Sequence, residues 1–209
     1  MVDLATADDP GLVCLQEIPV WALGRLEGWS GMDAFTAIAA RPLLLSATLG
    51  RALTAINHGL LRSAFTGQGN AILVANSHPV RGDWTRQVSR PKEGERRVCQ
   101  AVQLEGLGLV ANFHVTTAFA DDQFMRVVQA VEELAAEHSP VILCGDANLR
   151  PGEGRTYAEL ERLGYSRPAP GIDQILVRGL QLESPPRQRD HTLDGLVVSD
   201  HAPLEAVIR

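Results

Sequence analysis

Several apolar segments of the sequence run directly into residues that bind metal ions or transfer protons. These residues are Glu17 after segment 12–16, His114 after segment 107–113, Asp146 and Asn148 after segment 140–145, and Asp200 and His201 after segment 195–199. Asp173 instead stands at the start of its apolar segment. Carboxylates, imidazoles and an amide at the ends of buried strands are typical of a functional site.

The clustering of these groups predicts a bound cation. An unpaired carboxylate is costly to bury at the end of a strand, so four carboxylates sharing one edge of the fold need a positive partner. Oxygen ligands with few nitrogens and no sulfur favour Mg²⁺, Mn²⁺ or Ca²⁺ over zinc.

Each residue alone also has an ordinary structural explanation. Glu17 is compatible with a cap or a surface ion pair, His114 with a hydrogen-bonded core histidine, and Asp173 with a turn cap. Segment 145–148 is compatible with an Asx turn, because Asp and Asn favour turns. Their joint occurrence, each beside a predicted strand, favours a functional site.

Short segments rich in Val, Ile and Leu predict the strands that position these residues. They are 12–16, 70–75, 98–104, 107–113, 141–144, 173–177, 196–198 and 204–208. Segments 98–104 and 107–113 predict a hairpin, because only Glu105 and Gly106 join them.

The helical signals lie between the strands. Residues 122–137 carry apolar side chains at helical spacing, and Pro140 is expected to stop that helix. A shorter helix is predicted over 154–163 and closed by Gly164. Segment 43–63 is also predicted to be helical.

Composition predicts one globular domain over residues 1–209, with a net charge of -6 and a pI of about 5.5. The acidic balance does not favour nucleic acid as a partner, although it remains possible. The longest irregular stretch is 76–97, which carries six basic and three acidic residues between Arg81 and Arg97. A solvated surface loop and a phosphate-contacting loop explain it equally well.

The cysteines and the amino terminus predict a cytoplasmic protein. Cys14, Cys99 and Cys144 each lie within an apolar run, which favours reduced thiols over disulfides. The acidic first ten residues do not resemble a signal peptide. The most apolar stretch, 42–61, contains too many polar residues for stable membrane insertion.

Five ordered blocks resemble the signature motifs of the endonuclease/exonuclease/phosphatase superfamily, which has the DNase I-like fold. They are LQE at 15–17, NFH at 112–114, GDAN at 145–148, IDQI at 172–175 and SDHAP at 199–203. GQGNAIL at 67–73 and the Glu95-x-Arg97 pair resemble intervening blocks. The resemblance implies an α/β fold, a four-layer α/β/β/α sandwich in which two mixed sheets pack face to face with helices outside.

The same resemblance implies a role for each residue. Glu17 and Asp200 would be metal ligands, for Mg²⁺ or else Mn²⁺. His114 would donate to the phosphate, and Asp146 would transfer a proton or orient water. The resemblance also implies roles for the remaining residues. Asn148 and Arg97 would contact the phosphate, and His201, oriented by Asp173, would be the general acid or base. Imidazolium groups and the metal would neutralise the developing charge.

One feature of the resembling family has no counterpart in this sequence. Members begin with a strand that ends in an active-site Asn, whereas only eleven residues precede Leu12. Asn70 and Asn112 are poor substitutes for that Asn. The open sheet position would favour aggregation or dimerisation.

The predicted function is metal-dependent hydrolysis of phosphodiesters or phosphomonoesters. A nuclease and a small-molecule or lipid phosphatase are both compatible with the sequence. The alternative is a truncated or non-catalytic member of the fold that acts as a binding module. A zinc hydrolase is the third possibility, although closely spaced His and Cys ligands are absent from the sequence. The oligomeric state is not predicted.

Overall fold

A computed structural model of the protein describes residues 2–42, 66–136, 139–193, 195–197 and 199–209. The helices are α1 (Val2–Thr6), α2 (Val20–Leu23), α3 (Leu26–Ser30), α4 (Ala120–Leu134) and α5 (Thr156–Arg162). The longer strands are β1 (Leu12–Ile18), β2 (Asp33–Ala40), β3 (Gln68–Val74), β4 (Val80–Gln87), β5 (Val98–Leu104), β6 (Gly108–His114), β7 (Val141–Asp146) and β8 (Asp173–Arg178). The shorter strands are β9 (Arg187–Gln188), β10 (Thr192–Leu193), β11 (Leu196–Val197) and β12 (Leu204–Glu205).

The long strands form two sheets. The first has the order β1-β3-β2, with antiparallel pairing throughout. The second has the order β4-β5-β6-β7-β8 and is mixed, because β6 and β7 run parallel. Two-stranded pairs, β10-β11 and β9-β12, accompany the last part of the chain.

The two sheets pack face to face between layers of helices. One core cluster joins Ile72 and Val74 of β3 to Val102, Val110 and Ile142 of the larger sheet. On the outer face of that sheet, α4 and α5 pack over a second cluster. A third cluster fixes α2 and α3 on the outer face of the smaller sheet. The predicted four-layer sandwich is therefore confirmed.

Alternation along the strands explains this layering. In β6, Leu109, Ala111 and Phe113 belong to the cluster beneath α4, whereas Val110 belongs to the cluster between the sheets. Successive side chains of a strand point to opposite faces, so both faces of β6 are apolar and all seven of its residues are buried.

Most predicted elements are confirmed, including the hairpin of β5 and β6 and the helix that Gly164 follows. Two predictions are wrong. Residues 80–87, expected to be irregular, form the edge strand β4. The helix over 122–137 begins at Ala120 and ends at Leu134, so Pro140 does not end it.

The remaining predictions about strands and helices have the following outcomes. The last predicted strand is shorter, covering Leu204–Glu205, with one isolated bridge from Leu182 to Ile208. The strand β2 was not predicted. The predicted helix over 43–63 lies outside the described residues. Among the residues that are described, no helix is long and apolar enough to cross a membrane.

Candidate active site

Three neighbouring strands place three of the predicted residues in one row. His114 of β6 is paired in register with Asp146 of β7, and Asp146 is paired with Asp173 of β8. His114 and Asp146 end parallel strands, whereas β8 is antiparallel, so the residue that begins it lies at the same edge. The antiparallel direction of β8 therefore explains why Asp173 stands at the start of its segment, whereas His114 and Asp146 stand at the ends of theirs.

His201 joins this row from the last part of the chain. Its Nδ1 lies 3.0 Å from both carboxylate oxygens of Asp173. Its backbone N–H donates to the hydroxyl of Ser199 at 3.2 Å. The predicted carboxylate–imidazole contact is present, and a carboxylate in this position holds the proton on Nδ1 and leaves Nε2 available.

A bulge in β1 positions Glu17. Leu15 is paired with Ala71 and Ile18 with Gly69, so two residues of β1 face one residue of β3. Glu17 has a φ of 56°, in the left-handed region. Bulges redirect side chains in this way beside active sites, at a cost in backbone strain.

Two amides to which the sequence analysis gave no role in the site hold the bulge. Asn112, fully buried in β6, donates to the backbone carbonyls of Leu15 and Ala71 at 3.0 and 2.9 Å. Gln16 donates to the side-chain oxygen of Asn112 at 2.7 Å. Asn112 therefore joins the two sheets beneath Glu17. The one available signal was a polar residue inside an otherwise apolar strand.

Arg97 lies beside Glu17 and His114. Its Nη1 donates to Nδ1 of His114 at 3.2 Å and lies 3.9 Å from Oε1 of Glu17. An arginine has no lone pair to offer, so Nδ1 of His114 is the acceptor. The proton of the neutral ring is then on Nε2, which lies 3.6 Å from Oδ2 of Asp146.

Asn148 closes a turn around Asp146. Its backbone N–H donates to Oδ1 of Asp146 at 2.8 Å, which is an Asx turn, and its φ is 44°. Its Nδ2 donates to the carbonyl of Val115 at 2.8 Å and lies 3.3 Å from Nε2 of His114. The Asx turn is therefore present and places the amide of Asn148 beside His114, while its role at a phosphate stays a prediction.

The surroundings favour the neutral forms of the two central side chains. Burial, followed by the charges of Arg97 and His201, lowers the pKa of His114 to about 3. Burial also raises the pKa of Asp146 to about 6, and the charge of Asp173 adds to that shift. His114 is thus neutral at pH 7. Desolvation of the ring beside a guanidinium favours this neutral form in the metal-free protein, and a role for His114 as an imidazolium stays a prediction.

His201 behaves differently because it is more exposed and lies among carboxylates. Burial lowers its pKa, but the hydrogen bond and charge of Asp173, with smaller contributions from Asp146 and Asp200, outweigh that effect. The net result is a raised pKa.

The donor set fits a divalent cation. Ligand atoms of Asp146, Asp173 and His201 all lie within 4.8 Å of one another. Two carboxylates with one imidazole are suitable for Mg²⁺ or Mn²⁺. This group does not include Glu17 or Asp200, whose roles as ligands remain predictions.

All eight predicted site residues line one groove with a volume of about 1650 Å³; they are Glu17, Arg97, His114, Asp146, Asn148, Asp173, Asp200 and His201. The groove continues along β1 and the segment 204–208, past Trp21 and Trp29. The structure thus brings the predicted residues together, although the role of each is still a prediction.

Comparisons with known proteins agree with this arrangement. The sequence pattern described as the Endonuclease/Exonuclease/phosphatase family matches residues 1–201. No curated protein matches the sequence.

Among solved structures, a functionally unknown conserved protein from Enterococcus faecalis V583 is 18% identical, with a TM-score of 0.73 over 100% of this chain and 88% of its own. A mannosyl-6-phosphatase from Bacteroides thetaiotaomicron VPI-5482 is 15% identical, with a TM-score of 0.69 and the same coverage. An endonuclease/exonuclease/phosphatase from Beutenbergia cavernae DSM 12333 is 16% identical, with a TM-score of 0.68 over 100% of this chain and 64% of its own. At these identities the similarity establishes the fold, and the match over residues 1–201 establishes that the chain belongs to the endonuclease/exonuclease/phosphatase family of phosphoric ester hydrolases.

Proposed function

We propose that residues 1–209 act as one catalytic domain that hydrolyses phosphate esters with Mg²⁺, or with Mn²⁺ in its place. The observation that carries the proposal is the row of His114, Asp146 and Asp173 along one sheet edge, with His201 held by Asp173. The imidazole of His201 and the four carboxylates of Glu17, Asp146, Asp173 and Asp200 line one groove, which supports the proposal. Family membership supports the reaction class, and the protein is proposed to act in the cytoplasm.

His201 and Asp173 are proposed to move the proton. Asp173 accepts the Nδ1–H of His201, so Nε2 is free to take a proton from the attacking water. The water oxygen forms the new bond to phosphorus as the ester P–O bond breaks, and the leaving oxygen then needs a proton. Asp146, with its pKa of about 6, is a suitable partner for proton exchange near neutral pH.

His114, Asn148 and Arg97 are proposed to contact the phosphate. Neutral His114 offers its Nε2–H, Asn148 offers its amide, and Arg97 offers a permanent positive charge. The Nε2–H of His114 and the guanidinium of Arg97 stabilise the negative charge that develops on the phosphate oxygens. The amide of Asn148, which donates to Val115 and Asp146 in the free protein, exchanges one of these hydrogen bonds for one to the phosphate.

Glu17 and Asp200 are proposed to hold the cation beside the carboxylates of Asp146 and Asp173. When bound, Mg²⁺ would supply positive charge that polarises the phosphate and offsets the repulsion among the carboxylates. The bulge at Glu17 turns a side chain of the smaller sheet towards the row on the larger sheet.

The groove favours a small phosphate ester over a nucleic acid. Of the six basic residues between Arg81 and Arg97, the lining of the groove includes Arg97 alone, within the described part of the chain. Arg187 and Arg189 also line it, but both are paired with carboxylates. Such pairing leaves little positive charge for a phosphate backbone.

The test measures Mg²⁺-dependent hydrolysis of an aryl phosphodiester, an aryl phosphomonoester and supercoiled plasmid. Loss of a proton-transfer group lowers rates roughly 10²- to 10⁴-fold, so His201→Ala is expected to lose at least about a hundredfold. Glu17→Ala removes the proposed metal ligand and is also expected to lose most of the Mg²⁺-dependent activity. His78→Ala, in the groove but at the far end of β1, is the control and should retain activity. Wild-type turnover equal to that of His201→Ala with both metals would rule out catalysis and favour the binding-module alternative.

A further inference from the structure

The guanidinium of Arg97 is held from the side opposite the catalytic row. Its Nη2 lies 2.9 Å from Oε2 of Glu95, while Nη1 faces Glu17 and His114. Arg97 is 8% exposed, so its charge lies at the site and not in bulk solvent. A guanidinium is planar, and fixing one nitrogen restricts the direction in which the others point.

Glu95 is itself connected to the opposite sheet. Its Oε2 accepts a hydrogen bond from Nε2 of Gln68 at 3.1 Å. Gln68 begins β3 in the smaller sheet and is 3% exposed, whereas Arg97 immediately precedes β5 of the larger sheet. The carboxylate of Glu95 therefore bridges the two sheets at the edge of the groove.

The pairing leaves donor capacity on Arg97. Its Nε is buried without a hydrogen-bond partner among the described residues. A buried donor without a partner is costly to the folded state. The side chain of Glu95 is 50% exposed, and an ion pair of that exposure adds little to stability. Stability alone is a weak explanation for the contact.

We infer that Glu95 is a positioning residue, which directs the guanidinium of Arg97 at the substrate phosphate. The inference rests on the proposed function, since Arg97 is the phosphate contact in it. Glu95 lines the groove beside Arg97 and acts through the guanidinium that it holds. Its own negative charge repels the phosphate, so the benefit comes from orientation.

Because of that repulsion, electrostatics and orientation predict opposite changes in phosphate affinity. Glu95→Gln removes a negative charge close to an anion site, and electrostatics alone would tighten the binding of inorganic phosphate. Loss of orientation would weaken it. We expect the dissociation constant for inorganic phosphate, measured by titration calorimetry with Mg²⁺, to rise about three- to tenfold, the effect of one hydrogen bond.

Further variants test whether Glu95→Gln changes phosphate binding through Arg97. In an Arg97→Ala background, Glu95→Gln is expected to weaken phosphate binding no further, because residues that act through one another are not additive. Arg97→Lys keeps the charge without the planar group and serves as the background if Arg97→Ala does not fold. Gln68→Met should weaken phosphate binding in the same direction as Glu95→Gln.

The control is Glu105→Gln, which removes a carboxylate from an exposed pair with Arg81 and should leave phosphate affinity unchanged. In turnover assays Glu95→Gln should raise KM by the same factor as the dissociation constant and change kcat less. Unchanged or tighter phosphate binding in Glu95→Gln overturns the inference, as does an equal loss in the Arg97→Ala background or no phosphate binding by the wild type. If the wild type turns over no substrate but Glu95→Gln still weakens phosphate binding through Arg97, the proposed function is contradicted and the inference about Glu95 is not.

Discussion

His114 and Asp146 show how neighbouring side chains acquire chemistry that their types alone do not indicate. Both are buried, with side chains 8% and 10% exposed, and burial favours the neutral form of each. The pKa of the imidazole therefore falls while that of the carboxyl rises. Their neutral forms suit donation to a phosphate and proton exchange near neutral pH.

These opposite shifts predict opposite effects of acid on stability. The folded-state pKa of His114, about 3, lies below the ordinary value of 6.5, so its contribution is lost as pH falls from 6.5 towards 3. The folded-state pKa of Asp146, about 6, lies above 3.8, so its contribution grows as pH falls from 6 towards 4. At pH 4.5 the contribution amounts to roughly 3 kcal/mol at most for His114 and to roughly 2 kcal/mol at most for Asp146.

Urea unfolding in EDTA, compared between pH 7 and pH 4.5, measures both effects. Relative to the wild type, His114→Gln should lose less free energy of unfolding on acidification, and Asp146→Asn should lose more. If both variants follow the wild-type pH dependence, the two residues do not have shifted pKa values in the metal-free protein.

The sequence indicated which residues form the site, but it did not indicate which residues hold them in place. Glu17, His114, Asp146 and His201 follow or begin apolar segments, and that placement is visible in the sequence. Asn112 was judged a poor substitute for an active-site Asn, and its amide donates to two backbone carbonyls and accepts from Gln16. Its role under the bulge was not predictable, because it depends on a contact between residues 97 positions apart.

At the scale of the elements, strand register determines which side chains meet. The row of site residues exists because β6, β7 and β8 align at one edge, and one glycine permits this alignment. Gly145 has a φ of 153°, and a Cβ there would lie 2.0 Å from the carbonyl oxygen of Phe113. That oxygen belongs to the neighbouring strand and cannot move independently.

Gly145→Ala is therefore expected to destabilise the fold by at least about 2 kcal/mol and to lower activity by displacing Asp146. Gly28→Ala is the matched control, because Gly28 lies in α3 with nothing within 4 Å of its added Cβ. In a helix that change is stabilising by roughly 0.5–1 kcal/mol. Thermal unfolding of the two variants should thus shift in opposite directions. Equal midpoints would contradict the close approach at Gly145.

The two strands missing from the sequence analysis have a common explanation. β4 contains Gly82, Asp83 and two arginines, and six of its eight residues are exposed, so it has little apolar alternation. β2 is rich in alanine, which does not indicate a strand. Both are edge strands that depend on pairing with β5 and β3. Tertiary pairing, which a local pattern does not contain, determines them.

At the scale of the whole molecule, the layers were predictable and the shape of the groove was not. The resemblance implied two sheets between helices, and the structure has them. The groove follows from the order of the smaller sheet, in which β1 pairs on one side with β3 within the described residues. Along its other side, β1 faces the segment 204–208 across the groove.

This one-sided pairing predicts uneven hydrogen exchange. β3 lies between β1 and β2 and all its residues are buried, so its amides should exchange slowly in the native protein. Alternate amides of β1 face the groove and lack a strand to pair with, so they should exchange much faster. Within β1 itself, the amides directed at β3 provide the internal control.

Native-state exchange followed by NMR, with light scattering at the same protein concentrations, tests this expectation. Slow exchange of every β1 amide in a monomer would show that the groove-facing edge has a partner within the chain. Slow exchange that appears only as the scattering mass doubles would show that a second copy covers it, as a free sheet edge favours. Alternating fast and slow amides along β1, independent of concentration, is the expected result because antiparallel pairing uses every second residue of an edge strand.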